Sequence, residues 1–419
     1  MWDEPLGMTI IDIIDNQQGA RRCSSPSELP KAKERQQHSN TTKQKTLRQP
    51  PKLRPPELPF ATLRVSSLPS DLPNYTKDKY TMPFALASCS IGLPKHTLHQ
   101  KIEAIRHAGF DGIELSFPDL QSYANLHFGR DIAEDDYDTL CEAGRAVREL
   151  LERHNLSIFV LQPFSNFEGW PEGSDKRKDA FARARGWIRI MEAVGTDMLQ
   201  VGSSDSEGIA TDPDTVAADL RELADMLAEK GLKLAYENWC WSTHAPKWSD
   251  VWNIVQKVDR PNVGLCLDTF QSAGGEWGDP TTESGRIETP AITEMELSVR
   301  YRASLKELAE TVPADKIFFF QISDAYKVQP PLEDKTDPES GLRPRGRWSH
   351  DYRPLPYDGG YLPIEQFAKA VLDTGFKGWF SVEVFDGKFE EKFGQDLNKY
   401  AQQAMDSCKE LLSKAKETQ

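Results

Sequence analysis

From residue 82 onward, short apolar runs alternate with longer stretches in which apolar positions recur every three or four residues. The short runs read as strands over 84–90, 112–115, 157–161, 198–201, 233–236, 263–267, 316–320 and 379–384. Between them the pattern predicts helices over 96–107, 137–154, 176–194, 213–230, 248–258, 299–310, 364–373 and 394–414. The clearest is 213–230, where Asp212 stands as N-cap, Pro213 opens the first turn and Gly231 follows the end. Its apolar residues Val216, Leu220, Leu223 and Leu227 share one face.

Eight alternating units with continuous apolar strands specify a parallel sheet buried on both faces. Eight is also the number that closes a barrel, so the fold class expected is α/β, a (β/α)8 TIM barrel. An open doubly wound sheet would carry a Gly-rich phosphate loop after an early strand. The first strand instead ends in Ser88-Cys89-Ser90-Ile91-Gly92. The barrel region, residues 81–419, exceeds the ~250 residues typical of this fold, and the surplus falls in long loops after strands six and seven, 271–297 and 326–363. Both follow C-terminal strand ends, the face on which TIM barrels carry their chemistry, and both are expected to be covers without secondary structure.

Composition divides the chain. Residues 17–80 hold 13 Lys/Arg against 5 Asp/Glu, and the first 80 residues hold 10 of the 28 prolines. This stretch has little apolar periodicity and reads as a disordered, basic, Pro-rich leader over 1–80. Asp3, Glu4, Asp12 and Asp15 argue against a targeting signal there, and Met82 stands where a start could lie. The whole chain carries a net charge of −14, which excludes a general nucleic-acid or anionic-membrane binder. No apolar run is long enough to span a bilayer. Six scattered cysteines without a Cys-x-x-Cys pair point to a reducing, cytoplasmic compartment.

The residues at or just after strands two to eight are Glu114, Gln162, Gln200, Glu237, Asp268, Gln321 and Glu383. One polar strand end means little. Four successive strands that supply Glu237, Asp268, Gln321 and Glu383 would gather three carboxylates in one place, and their repulsion calls for a cation or protons. The donors are all oxygen, which favours Mg²⁺ or Mn²⁺, with Co²⁺ as a substitute, over a structural zinc site. For Glu114 a place behind the ligands, a substrate contact and a salt bridge in a barrel layer all stay open.

The segments Gly112-Ile113-Glu114-Leu115, Leu161-Gln162-Pro163-Phe164, Tyr236-Glu237 with Trp241-Ser242-Thr243-His244, Leu267-Asp268-Thr269-Phe270, Phe320-Gln321-Ile322-Ser323-Asp324-Ala325 and Ser381-Val382-Glu383 carry a resemblance. From residue 82 to the C-terminus the chain resembles the 3-dehydroshikimate dehydratases of the fungal quinate-catabolism type, within the wider xylose-isomerase-like metal-dependent barrels. Sugar isomerases and epimerases of that superfamily commonly place His at the strand-seven position; the dehydratases place Gln, as Gln321 here. The resemblance implies metal ligands Glu237, Asp268, Gln321 and Glu383, the set that the strand ends select. Some bacterial relatives carry a His three residues after the aspartate, where this chain has Gln271.

The implied reaction dehydrates 3-dehydroshikimate, a small anionic substrate, to protocatechuate. His244, seven residues beyond Glu237, is the expected base, against the reading of an ordinary loop histidine; His350 is the reserve. Arg347 and Arg353, in the arginine-rich stretch 343–353, are expected to bind the substrate carboxylate, against solvated surface charge. Gln162 and Gln200 either meet substrate hydroxyls or cap their strands. Trp239, Trp241, Trp348 and Phe164 either flank the substrate ring or pack. Two rivals stay open, a sugar or inosose isomerase, epimerase or dehydratase, and a non-catalytic metal-binding relative. Association into a homo-oligomer is open too, since no surface pattern decides it.

Overall fold

The computed structural model describes residues 82–417. The leader expected over 1–80 lies outside the described residues.

The strands are β1 (Phe84–Ala87), β2 (Gly112–Ser116), β3 (Ser157–Phe164), β4 (Met198–Gly202), β5 (Lys233–Glu237), β6 (Val263–Asp268), β7 (Ile317–Ile322), β8 (Tyr352–Arg353), β9 (Trp379–Val382) and β10 (Phe385–Asp386). All but β8 and β10 form one closed parallel barrel in chain order. It shuts through β1 against β9, with Ala85 opposite Ser381 and Leu86 opposite Val382. The eight predicted strands are these eight. The first is shorter than expected because Ser88–Ser90 turns into a 3-10 helix.

The major outer helices are α1 (Leu98–Ala108), α2 (Phe117–Phe128), α3 (Tyr137–Arg153), α4 (Asp175–Val194), α5 (Pro213–Ala228), α6 (Trp248–Val258), α7 (Thr269–Glu276), α8 (Glu294–Thr311), α9 (Pro344–Asp351) and α10 (Ile364–Asp373). The short α11 (Phe389–Phe393) and the long α12 (Leu397–Glu417) complete the chain. Capping explains the boundaries. Asp212 accepts the backbone N–H of Thr215 at 2.9 Å to start α5 as predicted. Helix α8 starts five residues before its predicted start, because Thr293 and Glu296 form a reciprocal capping box.

The connections after β6 and β7 are not the structureless covers expected. The first opens directly into α7, whose residues Thr269 to Gly274 are all buried and so show no amphipathic period. The second contains α9 and β8. Strand β8 pairs antiparallel with β10, Arg353 opposite Phe385 and Tyr352 opposite Asp386, which ties the β7 connection to the chain just beyond β9.

Strand alternation sorts the barrel residues into two layers. One set faces the helices. The other fills the interior, where Ala85, Phe159, Met198, Ala235, Cys266 and Phe319 form an apolar cluster. Phe159 stacks on Trp379 at 4.7 Å and meets Phe319 edge-on at 5.3 Å, so the barrel is plugged. Two residues further along β5, β6 and β7 the same inward register delivers Glu237, Asp268 and Gln321.

Candidate active site

The seven strand-end residues form a polar layer above the apolar plug. Glu114, Gln162, Gln200, Glu237, Asp268, Gln321 and Glu383 are all buried, none more than 7% exposed. Glu237, Asp268 and Glu383 each bring a carboxylate oxygen within 4.8 Å of the others.

The glutamines face the acids. Gln162 donates to Glu383 Oε1 at 3.1 Å, Gln321 donates to Glu114 Oε2 at 2.8 Å, and Gln200 donates to Glu237 Oε2. Trp239 adds an indole N–H to the same Glu237 oxygen at 3.2 Å. The backbone N–H of Gln271 holds Asp268 Oδ1 at 2.8 Å. Gln162 and Gln200 therefore orient carboxylates, which departs from the substrate-hydroxyl role considered for them. Each acid keeps a fixed direction in a place where water is scarce.

Burial sets the electrostatics. It pushes the Glu114 and Glu237 carboxyls well above the usual carboxylate range, and the charge of Glu383 adds to both shifts. Asp268 is raised by burial to about 7, although Arg353 opposes the rise. Glu114 Oε1, Glu237 Oε1 and Gln200 Oε1 are buried oxygens without a hydrogen-bond partner. Unpaired buried acceptors beside clustered carboxylates fit a hard divalent cation, which would satisfy the oxygens and the charge together.

Arg353 lies among the acids, and not out in the loop as a substrate clamp. Its side chain is 1% exposed, Nη1 meets Glu383 Oε2 at 2.9 Å, and Nη2 pairs with Asp268 Oδ2. Nε donates to Ser323 Oγ at 2.6 Å. The guanidinium lies 5.1 Å from the Phe270 ring and 5.6 Å from the Phe385 ring. Each of its three nitrogens already makes one contact with the protein. Arg343 and Arg345 are spent on backbone carbonyls of Trp241, Gly274 and Gly278. Arg347 is held only by a 3.8 Å ion pair with Asp337.

His244 is not brought to the acidic centre. Tyr236 and Glu237 project to opposite faces of β5, and His244 goes with Tyr236: its Nε2 lies 2.9 Å from the Tyr236 hydroxyl and 3.3 Å from Glu168 Oε1. Glu168 also accepts from Tyr236 at 3.0 Å and from the Ser204 backbone at 2.8 Å. The His244 side chain is 1% exposed, locked in a buried trio behind the strand. The reserve histidine fares better. His350, on α9, donates from Nδ1 to the Gly346 carbonyl at 2.7 Å, which leaves the Nε2 lone pair free to take a proton. Its ring stacks on Phe385, the ring that also flanks Arg353, and lies 6.0 Å from Trp241. Burial lowers its pKa, which favours the neutral imidazole.

Of the four expected aromatics, Phe164 and Trp348 are fully buried packing residues; Phe164 packs on Phe167 and Trp187, and Trp348 meets Phe270 and bonds to the Tyr326 carbonyl. Trp239 and Trp241 stack on each other at 5.1 Å beside Glu237. Sequence reading missed Ser323, Phe270 and Phe385 around Arg353. Only Ser323 carried a signal, since it shares the inward phase of Gln321.

The comparisons agree with this geometry. Residues 102–411 match the xylose isomerase-like TIM barrel family. A 3-dehydroshikimate dehydratase of Neurospora crassa is 32% identical over 329 residues, 74% of this chain and 89% of that protein. A 3-dehydroshikimate dehydratase of Pseudomonas aeruginosa is 30% identical over 70% of this chain, which spans only 37% of that longer protein. Among solved structures, a xylose isomerase-like TIM barrel/4-hydroxyphenylpyruvate dioxygenase fusion protein superposes with a TM-score of 0.59 at 26% identity, over 79% of this chain and 43% of its own. The IOLI protein with a binding zinc atom shares the fold at a TM-score of 0.55 and 18% identity, over 80% of this chain and 99% of its own. A barrel with an acidic mouth, matched along most of its described length, makes this chain a member of the xylose isomerase-like TIM barrel family, beside the 3-dehydroshikimate dehydratases.

Proposed function

We propose that this chain dehydrates 3-dehydroshikimate to protocatechuate at the barrel mouth. The observation that carries the reading is the oxygen-only centre of Glu237, Asp268 and Glu383 with Gln321 beside it, in a chain 32% identical to the fungal dehydratase. Glu237, Asp268, Gln321 and Glu383 would hold a divalent ion such as Mg²⁺, Mn²⁺ or Co²⁺, which would supply Lewis-acid stabilisation for charge developing on the substrate's C3 carbonyl oxygen.

The chain's own groups supply the rest. His350 Nε2 takes the C4 proton, which the neighbouring carbonyl makes acidic. Glu114, whose carboxyl burial pushes toward the protonated form, accepts from Gln321 at Oε2 and donates from Oε1 to a ring hydroxyl. The C5 hydroxyl leaves as water with the proton that His350 took from C4, which returns the imidazole to its neutral form, and aromatisation of the ring drives the reaction forward. Arg347 is the loop guanidinium least committed to protein and therefore the one that meets the substrate carboxylate. The fit of Trp239 and Trp241 beside Glu237 gives the flat ring an aromatic wall.

Among the described residues no helix is long and apolar enough to cross a membrane, and Cys89, Cys141, Cys240, Cys266 and Cys408 are free thiols. The free thiols fit a reducing, cytoplasmic setting for the proposed enzyme.

The test is direct. Chelated protein, with and without added Mg²⁺, Mn²⁺ or Co²⁺, is incubated with 3-dehydroshikimate, and protocatechuate is followed by absorbance. Product that appears only with metal supports the reading. No product with any of the three ions, or turnover of ketoses or inososes instead, overturns it.

A further inference from the structure

The three carboxylates of the centre are accompanied by one buried cation. Arg353 engages Asp268 and Glu383, and it does so from a braced position. Its backbone belongs to β8, in register with Phe385 of β10. The chain before and after it is stitched to the end of β7: the Tyr326 N–H bonds to the Tyr352 carbonyl at 2.9 Å, and the Asp324 N–H to the Pro354 carbonyl at 3.0 Å. Phe270 and Phe385 flank the guanidinium, and Ser323 holds its Nε. A side chain fastened this way has little room to swing out when a ligand arrives.

We propose that Arg353 is the resident counter-cation of this centre and sets how tightly it takes a divalent ion. The inference rests on the metal-centre reading above. With Glu237, Asp268 and Glu383 ionised, Arg353 leaves a net charge of −2, which a divalent ion cancels. The guanidinium takes Asp268 Oδ2 and Glu383 Oε2, and the other oxygens already accept from the Gln271 backbone and from Gln162, so an ion must share each carboxylate with a protein donor. Two effects follow, and both lower ion affinity. Arg353 stabilises the metal-free centre, since buried carboxylates without a partner are strongly unfavourable. It also repels an incoming cation, which lowers affinity relative to a neutral residue of similar size. Thermodynamic linkage joins them: removing the charge harms the metal-free state more than the loaded one, so ion affinity must rise.

The experiment measures Mn²⁺ binding to chelated full-length protein by titration calorimetry, with thermal melting of the same samples. Arg353→Gln is expected to bind Mn²⁺ at least about tenfold more tightly than wild type and to gain more in Tm on Mn²⁺ addition, whereas Arg353→Lys, which keeps the charge, stays close to wild type. If metal-free Arg353→Gln is unfolded, circular dichroism during Mn²⁺ addition gives the answer: folding on addition supports the proposal, and failure to fold at saturating Mn²⁺ overturns it. Equal or weaker Mn²⁺ binding by folded Arg353→Gln overturns it while the metal-centre reading stands. A wild-type protein that takes up no Mn²⁺ brings both down.

Discussion

Gln321 donates from Nε2 to Glu114 Oε2 at 2.8 Å, a bond that joins β7 to β2 over the intervening strands β9 and β1. The other Glu114 oxygen has no partner, and burial keeps its carboxyl protonated well above the usual range. Glu114→Gln keeps the size and one acceptor but removes the acid. It should lower kcat/KM for 3-dehydroshikimate about 100-fold while Mn²⁺ affinity changes less than about threefold. Collapse of metal affinity in calorimetry would instead make Glu114 a ligand.

His244 and His350 should separate cleanly. His244→Ala removes one partner from the buried Tyr236–Glu168 pair and leaves a cavity behind the strand, so denaturant unfolding should show a loss of about 1–3 kcal/mol with little change in kcat of the folded enzyme. His350→Ala should do the reverse, costing at least about 100-fold in kcat with Mn²⁺ affinity retained. A fully active His350→Ala enzyme removes that residue from the chemistry.

Gly202 ends β4 against Trp239, and a Cβ there would sit 2.1 Å from the indole. Gly202→Ala must displace the ring that bonds to Glu237. A stability loss of about 1–3 kcal/mol is expected together with a shift in tryptophan emission and weaker Mn²⁺ binding. Unchanged emission would mean that the indole does not move.

Asp324 gives a pH signature. Burial raises its carboxyl to about 7, although it accepts the N–H groups of Ala325 and Leu362. The native state therefore binds a proton that the unfolded chain releases near pH 4. That stability is fully present below the unfolded value and is lost as pH rises through about 7. Asp324→Asn should flatten the Tm profile between about pH 4 and 7 and be the more stable form at pH 8, by an amount on the order of a few kcal/mol. Parallel wild-type and variant profiles across that range would refute the assignment.

The barrel and its acidic mouth were legible because both rest on short-range pattern. Apolar strands end where the pattern breaks, and an inward residue such as Ala235 places Glu237 inward two positions later. What the pattern could not carry was the side to which a loop turns. His244 follows Glu237 by seven residues, yet its partner is Tyr236, which faces the other way. Nor could it give the direction of Arg353, because that is fixed by pairing with β10, far along the chain. Helices α2, α7 and α9 were all missed; α7 and α9 are short and held on several sides, so they lack a polar stripe.

The double stitching of the β7 connection divides it into two spans with different tolerance for change. Residues 344–362 bond back to Asp324, Ala325 and Tyr326 through Trp348, Pro354, Tyr361 and Leu362, so their length is fixed by the mouth. Residues 333–336 are exposed. Insertions there add only a slowly growing loop-closure entropy and leave Arg353 where it is. The same connection can thus vary in length between relatives, or accept a grafted peptide, without altering the charge that the centre feels.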